Sequence, residues 1–207
     1  CQGNLRPSDE VVLEACSLAW TVYDLLKPLV TEVTVAHAAD VKLIASSLIK
    51  TDKRDALVLA RLLAAKLIPA VWVPPKAVRE LRALISQRRQ LVEQRRATKS
   101  RLRALLLRHL ITPPAGDIGE QELRSWWQAV ELPSTERFIA EQNLATLDHL
   151  NKAIDELESE LAGCSMSAEW CGQVTSLVQV VGVGMISAMT MLSAIGDISR
   201  FATPKKL

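Results

Sequence analysis

The sequence predicts an α/β segment followed by a mostly α-helical one. In the first fifty-odd residues, short apolar runs alternate with helical patterns, an order typical of parallel strands joined by crossover helices. After Pro69, long stretches without Gly or Pro carry apolar residues at heptad spacing. Aromatic residues make up only 4% of the 207 residues, while Leu, Ala, Val and Arg are abundant, which favours helix.

The N-terminal elements follow from local patterns. Val11–Leu13 predicts a short buried strand, and the β-branched run Glu32–Ala36 predicts a second strand. Between and after them we expect helices at 18–29, stopped near Pro28, and at 40–49. Thr51 is a suitable N-cap for a helix that runs through residue 67, and residues 71–73 predict a last edge strand.

A long helix is predicted from Lys76 to about Leu110. Its heptad track holds apolar residues at Val78, Leu81, Ile85, Val92, Leu102 and Leu106, and is interrupted by Arg88, Arg95 and Lys99. After a Pro-Pro-Ala-Gly turn and a shorter helix at 120–130, a second long helix opens at Pro133-Ser134. Its strict heptad spacing from Leu147 to Leu161 predicts an antiparallel return, and hence a coiled-coil arm with a hydrophilic middle.

Charge is distributed unevenly although the net charge is only +2. Residues 76–108 carry eleven Lys or Arg against two Glu, a balance of +9, whereas residues 134–161 carry seven acids against two bases, a balance of −5. The surplus predicts contact with a polyanion, and the alternative is a solvated or internally paired helix face. The candidate nucleic-acid-binding residues in this arm are Arg88, Arg89, Arg95, Arg96, Lys99, Arg101 and Arg103.

A pair of aspartates begins the predicted helix after Thr51. Asp52 and Asp55 are three residues apart and project from one helix face, and Glu14 follows the first strand. Three carboxylates brought together in this way would suit Mg²⁺ or Mn²⁺. The alternative is a plain helix start, because the helix dipole favours acids in the first turn.

The segment 172–196 holds 25 residues without a charge. A membrane span is possible by length, but its polar residues and the pair Gly182 and Gly184 favour a buried helical hairpin. The Gly-Val-Gly turn between apolar helices has the form of a helix-hairpin-helix element, in which backbone N–H groups would meet a DNA phosphate. The alternative is an ordinary corner between helices. Four cysteines without a CxxC pair indicate a reduced, cytosolic protein without a structural zinc site.

Several of these features together resemble one family. Val11-Val12-Leu13-Glu14-Ala15, Lys50-Thr51-Asp52-Lys53-Arg54-Asp55-Ala56, the basic arm and Val181-Gly182-Val183-Gly184 leading to Ile195–Phe201 occur in the order seen in DEDD-type insertion-sequence transposases related to the Piv invertases. The resemblance implies an incomplete RuvC-like, ribonuclease-H-like α/β domain at 1–75, a helical arm at 76–165 and the start of a C-terminal transposase domain at 166–207.

The resemblance also implies the roles of individual residues. Glu14, Asp52 and Asp55 would be three members of an Asp-Glu-Asp-Asp tetrad that holds Mg²⁺ or Mn²⁺, and Lys50, Lys53 and Arg54 would neutralise nearby phosphates. The expected partners are DNA, a structured guide RNA and a second copy bound through the arm, in the nucleoid of a bacterial or archaeal cytoplasm, with no membrane. The function implied is DNA strand cleavage and rejoining in transposition.

The chain departs from the family pattern at three places. The first aspartate is expected before residue 1, the nucleophilic serine is expected after Leu207, and Cys16-Ser17 replaces the usual Thr-Gly. We therefore expect a piece of a longer recombinase, inactive alone. The competing hypothesis is a non-catalytic nucleic-acid-binding or dimerisation module in which the aspartates only begin a helix.

Overall fold

A computed structural model describes residues 4–44 and 52–206, with residue 52 described by its backbone alone. The predicted Thr51 cap, the candidate Lys50 and the end of the helix predicted at 40–49 lie outside these residues. The described chain divides into two compact units, Cys1–Pro74 and Pro75–Leu207. Each unit is described by itself below.

The first unit contains the predicted strand-helix-strand order. Strands β1 (Glu10–Glu14) and β2 (Glu32–Ala36) pair in parallel, with Glu10 opposite Glu32 and Glu14 opposite Ala36. Helix α1 (Ala19–Leu26) connects them and packs against both strands through its buried face. Both strand predictions are confirmed. The Val and Leu side chains of these runs are mostly half-buried, as is usual for a strand that packs against helices.

The remaining elements of this unit are helices α2 (Ala38–Ile44) and α3 (Asp52–Ala64). Helix α3 packs against β1 and ends where Lys66 adopts a left-handed conformation, with φ 56°. The predicted strand at 71–73 is wrong. The backbone makes only an isolated antiparallel bridge between Ala36 and Ala70, supported by the Val71 N–H donating to the Val35 carbonyl at 2.7 Å.

The second unit is built on the predicted antiparallel hairpin of α4 (Lys76–Arg108) and α6 (Ser134–Ser165). Side-chain hydrogen bonds between the two helices join residue 88 to 158, 95 to 151 and 108 to 136. Because the residue number in α6 falls as that in α4 rises, the helices run antiparallel. The heptad residues Leu81, Leu102, Leu147 and Leu161 are fully buried. Burial of this apolar stripe is what holds such long helices together.

Helix α5 (Arg124–Ala129) closes the turn end of the hairpin. Trp127 is buried there, and its indole Nε1 donates to the Ile118 carbonyl at 3.1 Å. The core of this end is a cluster that consists of Leu102, Leu105, Leu106, Ile118, Trp127, Ala140, Leu144 and Leu147. A buried indole with its one donor satisfied adds both apolar area and a fixed orientation.

The C-terminal elements are α7 (Cys171–Leu177) and α8 (Met185–Ile195), followed by short 3-10 turns. Helix α8 packs against α7, α4 and α6, and its buried side chains are Ala188, Met189, Leu192 and Ser193. Over the part of the chain that the structure describes, no helix combines the length and apolar character needed to cross a membrane.

Candidate metal centre and nucleic-acid interface

Glu14 is the last residue of β1, and its side chain is exposed at the carboxyl end of the strand. Helix α3 is the neighbouring element, and a groove of about 430 Å³ lies between the two, lined by Val11 and Val12 of the strand and by Ala60 and Leu63 of the helix. Small residues on α3 allow close approach to the strand. Glu10 also lines this groove, which therefore adjoins the amino-terminal part of β1, whereas Glu14 ends the strand. Strand β1 and helix α3 pack against each other.

Asp52 begins α3, and Asp55 lies in its first turn with an exposed side chain. Glu14 and Asp55 thus come from elements that pack together, and their carboxylates are the hard oxygen ligands that Mg²⁺ and Mn²⁺ take. The donor chemistry fits the expected metal. Among the side chains described, which do not include that of Asp52, no three His, Cys, Asp or Glu groups form a metal cluster.

Basic residues also lie next to these carboxylates. Lys53 and Arg54 occupy the first turn of α3 and are exposed, whereas Lys50 lies outside the described residues. The first turn of α3 has the order Asp52-Lys53-Arg54-Asp55, so two cations stand between the candidate metal ligands in sequence. This arrangement suits a polyanionic substrate that meets the metal and the cations together.

The basic residues of α4 fall into two groups, and the first lies on the heptad track that faces α6. Arg88 Nε donates to Glu158 Oε1 at 2.7 Å, Arg95 Nη1 donates to Asn151 Oδ1 at 3.4 Å, and the Lys99 ammonium pairs with Asp117. Each interruption of the apolar track is therefore bonded within the hairpin. These residues stabilise the arm and have little exposed charge to offer a ligand.

Asp117 is the partner of Lys99, and sequence reasoning did not single it out. Burial opposes ionisation of its carboxyl, but the hydrogen bonds from Lys99 and from the Gly119 N–H, together with the charges of Lys99 and Arg103, outweigh it, and the pKa of Asp117 lies below its ordinary value. The one signal in the sequence was an acid directly after the Pro-Pro-Ala-Gly turn.

The second group is exposed to solvent. It comprises Arg89, Arg96 and Arg103, which are seven residues apart, and Arg101. The charge of Arg103 also acts on the carboxyl of Asp117. Arg89 pairs with Glu93 at 3.4 Å, a contact in which both side chains are largely exposed. Within residues 4–44 and 52–206, Arg96 and Arg101 make no ion pair. We call Arg89, Arg96 and Arg103 the outer row.

The glycine turn lies between α7 and α8, as predicted. Gly182 has a φ of +87°, which only glycine adopts readily, and Gly184 precedes α8 with φ −84° and ψ 173°. A Cβ atom built on either glycine would meet nothing within 4 Å, and Val181 is 100% exposed. The tip of the turn is therefore open to a ligand, while its assignment as a helix-hairpin-helix element stays a prediction.

Comparison with known proteins gives a consistent result. Residues 7–111 match the family of IS110-type DEDD transposases. The chain is 28% identical to the putative transposase y4qE of Sinorhizobium fredii over 194 residues. This alignment covers 94% of the chain and 47% of that protein. It is also 28% identical over 163 residues to the transposase for insertion sequence element IS1111A of Coxiella burnetii, covering 76% of this chain and 43% of that protein. The chain spans less than half the length of these relatives.

Proposed function

Because this chain belongs to the IS110-type DEDD transposase family, we propose that it supplies metal-binding carboxylates and a nucleic-acid-binding arm to DNA recombination by an insertion sequence. The observation that carries the proposal is the extent of the family match. Residues 7–111 include Glu14, Asp52 and Asp55 as well as the whole basic helix α4. The carboxylates and the cations therefore belong to the same matched segment.

The proposed chemistry is metal-assisted attack on a phosphodiester. Mg²⁺ or Mn²⁺, when bound, would polarise the phosphodiester and activate the attacking oxygen. Glu14, Asp52 and Asp55 would hold the ion through carboxylate oxygens, with the strand end and the helix start fixing their separation. Lys53 and Arg54 would orient the phosphate backbone beside it.

A metal titration separates this proposal from a non-catalytic module. We expect the 207-residue chain to bind Mn²⁺, and Asp52→Ala/Asp55→Ala to lose at least about tenfold in affinity, because a hard cation needs several anionic oxygens. Isothermal titration calorimetry on both proteins measures the difference. An identical metal response in the two proteins would contradict the site and favour the alternative, in which the aspartates only begin a helix.

We further propose that the outer row and Arg101 contact the phosphate backbone. Support comes from the two environments on α4: Arg88 is paired with Glu158 inside the hairpin, whereas the outer side chains are exposed. Phosphate contacts by exposed guanidinium groups give affinity without sequence readout. Duplex DNA is the expected ligand, and by family resemblance a structured RNA is the second.

Arg88 and Arg89 are consecutive residues of α4, one paired inside the hairpin and one exposed, so they allow a matched test of the interface. We expect Arg89→Gln/Arg96→Gln/Arg103→Gln to weaken binding to a duplex and to lower the slope of log K against log salt by about 3. Arg88→Gln, the inner control, should lower thermal stability and leave that slope unchanged. Fluorescence anisotropy over a salt series, with duplex and hairpin RNA probes run separately, gives both slopes. An unchanged slope in the triple variant would contradict the proposed interface.

Self-association through the arm is a further proposal, and the charge pattern supports it. A groove of about 1040 Å³ lies beside α6, and its seven acids, which include Asp148, Asp155, Glu156 and Glu160, outnumber the three cations Arg95, Lys99 and Lys152. Its charge is opposite to that of the outer row, so two copies could pair side by side. Light scattering should then show a dimer at low salt that dissociates as salt rises. A monomer at every salt concentration would contradict it.

A further inference from the structure

On the basis of the proposed nucleic-acid binding, we propose that Arg82 is a positioning residue that fixes the direction in which α8 presents the Gly182–Gly184 turn to nucleic acid. Sequence reasoning did not single out Arg82, although it lies seven residues before Arg89 and continues the outer row by one heptad. Its environment differs from the rest of that row, because it is half-buried against α8.

Arg82 binds the carboxyl end of α8. Its Nε donates to the Ser193 carbonyl at 2.6 Å and its Nη2 donates to the Ala194 carbonyl at 3.2 Å. Arg200 Nη1 donates to the next carbonyl, that of Ile195, at 2.8 Å. Three successive carbonyls at a helix end, which lack partners within the helix, are thus satisfied by two guanidinium groups.

The two guanidinium groups lie close to each other. Burial, and then the charge of Arg200, lower the pKa of Arg82 from its usual value. Holding two like charges together at one helix end is unfavourable unless the carbonyls compensate for it. The three carbonyl oxygens at the end of α8 compensate for this repulsion. Arg82, which lies on α4, is more than a hundred residues away from these carbonyls in sequence.

Helix α8 is packed along one face and held by Arg82 at its carboxyl end, whereas the turn before it is open. Ala188 and Met189 are buried near the middle of the helix, and Leu192 and Ser193 are buried near the end that Arg82 binds. At the other end Val181 is fully exposed and the glycines have open space around them. Since α8 has 11 residues and a length of about 16 Å, a tilt of about 20° at the Arg82 end would displace the turn by about 5 Å.

Arginine suits this role better than lysine. The planar guanidinium donates to two carbonyls at once and so restrains both position and angle, whereas an ammonium acts as a point charge. Because Arg82 and Arg89 are separated by about 10 Å along α4, the restraint also ties the turn to the outer row. A duplex that contacts Arg89 would then meet the turn at a fixed distance.

A double-mutant cycle on the 207-residue chain tests the coupling. Gly184→Asp places a negative charge at the open turn, and the backbone there accepts any residue. We expect it to weaken duplex binding about tenfold in the unmodified chain, less than twofold in Arg82→Gln, and about tenfold again in Lys76→Gln, a control at an exposed cation of α4 outside the outer row. Arg82→Lys should restore part of the effect.

Hydrogen exchange gives a readout without nucleic acid. Amides of Met185–Ile195 should exchange faster in Arg82→Gln than in Arg89→Gln. The inference would be overturned if the chain binds DNA, the effects of Arg82→Gln and Gly184→Asp on duplex binding are additive, and amide exchange in α8 is unchanged by Arg82→Gln. Failure of the proposed function looks different: the unmodified chain would then show no salt-dependent binding to any probe, and the inference would fail with it.

Discussion

Arg88 and Arg89 are neighbours in sequence and have different environments. Arg88 Nη2 lies 2.6 Å from Glu158 Oε1 and is mostly buried, whereas Arg89 is 80% exposed. On a helix, a step of one residue turns the side chain by about 100°, which is enough to move it from the packed face to solvent. At the scale of single residues, the charge run of α4 therefore divides into structural cations and cations available to a ligand.

The ion pair of Lys99 and Asp117 should make stability depend on pH. The pKa of Asp117 is lowered in the folded protein, so its contribution is present above the unfolded pKa of about 3.9 and is lost as pH falls through the folded value. We expect Asp117→Asn to be less stable than the unmodified chain at pH 6, by at most about 1 kcal/mol because Asp117 is a third exposed.

Urea unfolding at pH 6 and at successively lower pH measures this difference. The gap between the two proteins should narrow as the pH falls below the unfolded pKa of about 3.9 and through the lower folded pKa, since the Asp117 carboxyl then becomes protonated and uncharged like the amide. A gap of constant size over the whole range would show that the carboxylate charge contributes nothing, and that the side chain acts only through its shape.

At the scale of elements, the α4–α6 hairpin depends on its buried heptad residues. Leu102 and Leu147 are completely buried, whereas Leu107 is 72% exposed on the same helix as Leu102. Leu102→Ala should lower the free energy of unfolding by about 3 kcal/mol, and Leu107→Ala, the matched control, by less than about 0.5 kcal/mol. Denaturant unfolding of both variants checks the prediction. Similar losses would contradict the assignment of the packed face.

A second pair of substitutions should act in opposite directions. Gly163 lies in α6 with no atom within 4 Å of an added Cβ, so Gly163→Ala should raise stability by about 0.5–1 kcal/mol. Gly196 ends α8 with φ 66° and ψ −79°, so Gly196→Ala should lower stability by about 1 kcal/mol or more. Thermal unfolding distinguishes the two, and shifts of the same sign would contradict one of these local assignments.

The elements were largely predictable from sequence because their signals are local. The apolar run of β1, the β-branched run of β2, the absence of Gly and Pro in α4 and the glycine turn before α8 are all signals within one short stretch of sequence. The prediction of a strand at residues 71–73 was wrong, since a β-branched run becomes a strand only where another strand pairs with it along its length. The partners of Arg82 and Lys99 could not be predicted, because they come from segments distant in sequence.

At the scale of the whole molecule, the two candidate chemistries belong to different compact units. The carboxylates Glu14 and Asp55 lie in the unit 1–74, and the outer row lies in the unit 75–207. The family match crosses the boundary between these units. Metal binding and nucleic-acid binding should therefore be separable by mutation, each variant losing one property and keeping the other.

Mn²⁺ binding at the end of β1 tests the central proposal most directly. Glu10 and Glu14 are exposed at opposite ends of the same strand, so Glu10→Gln is a matched control for Glu14→Gln. Electron paramagnetic resonance titration should show tight Mn²⁺ binding in the unmodified chain and in Glu10→Gln, with affinity at least about tenfold weaker in Glu14→Gln. Equal affinity in all three proteins, or no binding in any of them, would contradict a metal centre built on Glu14.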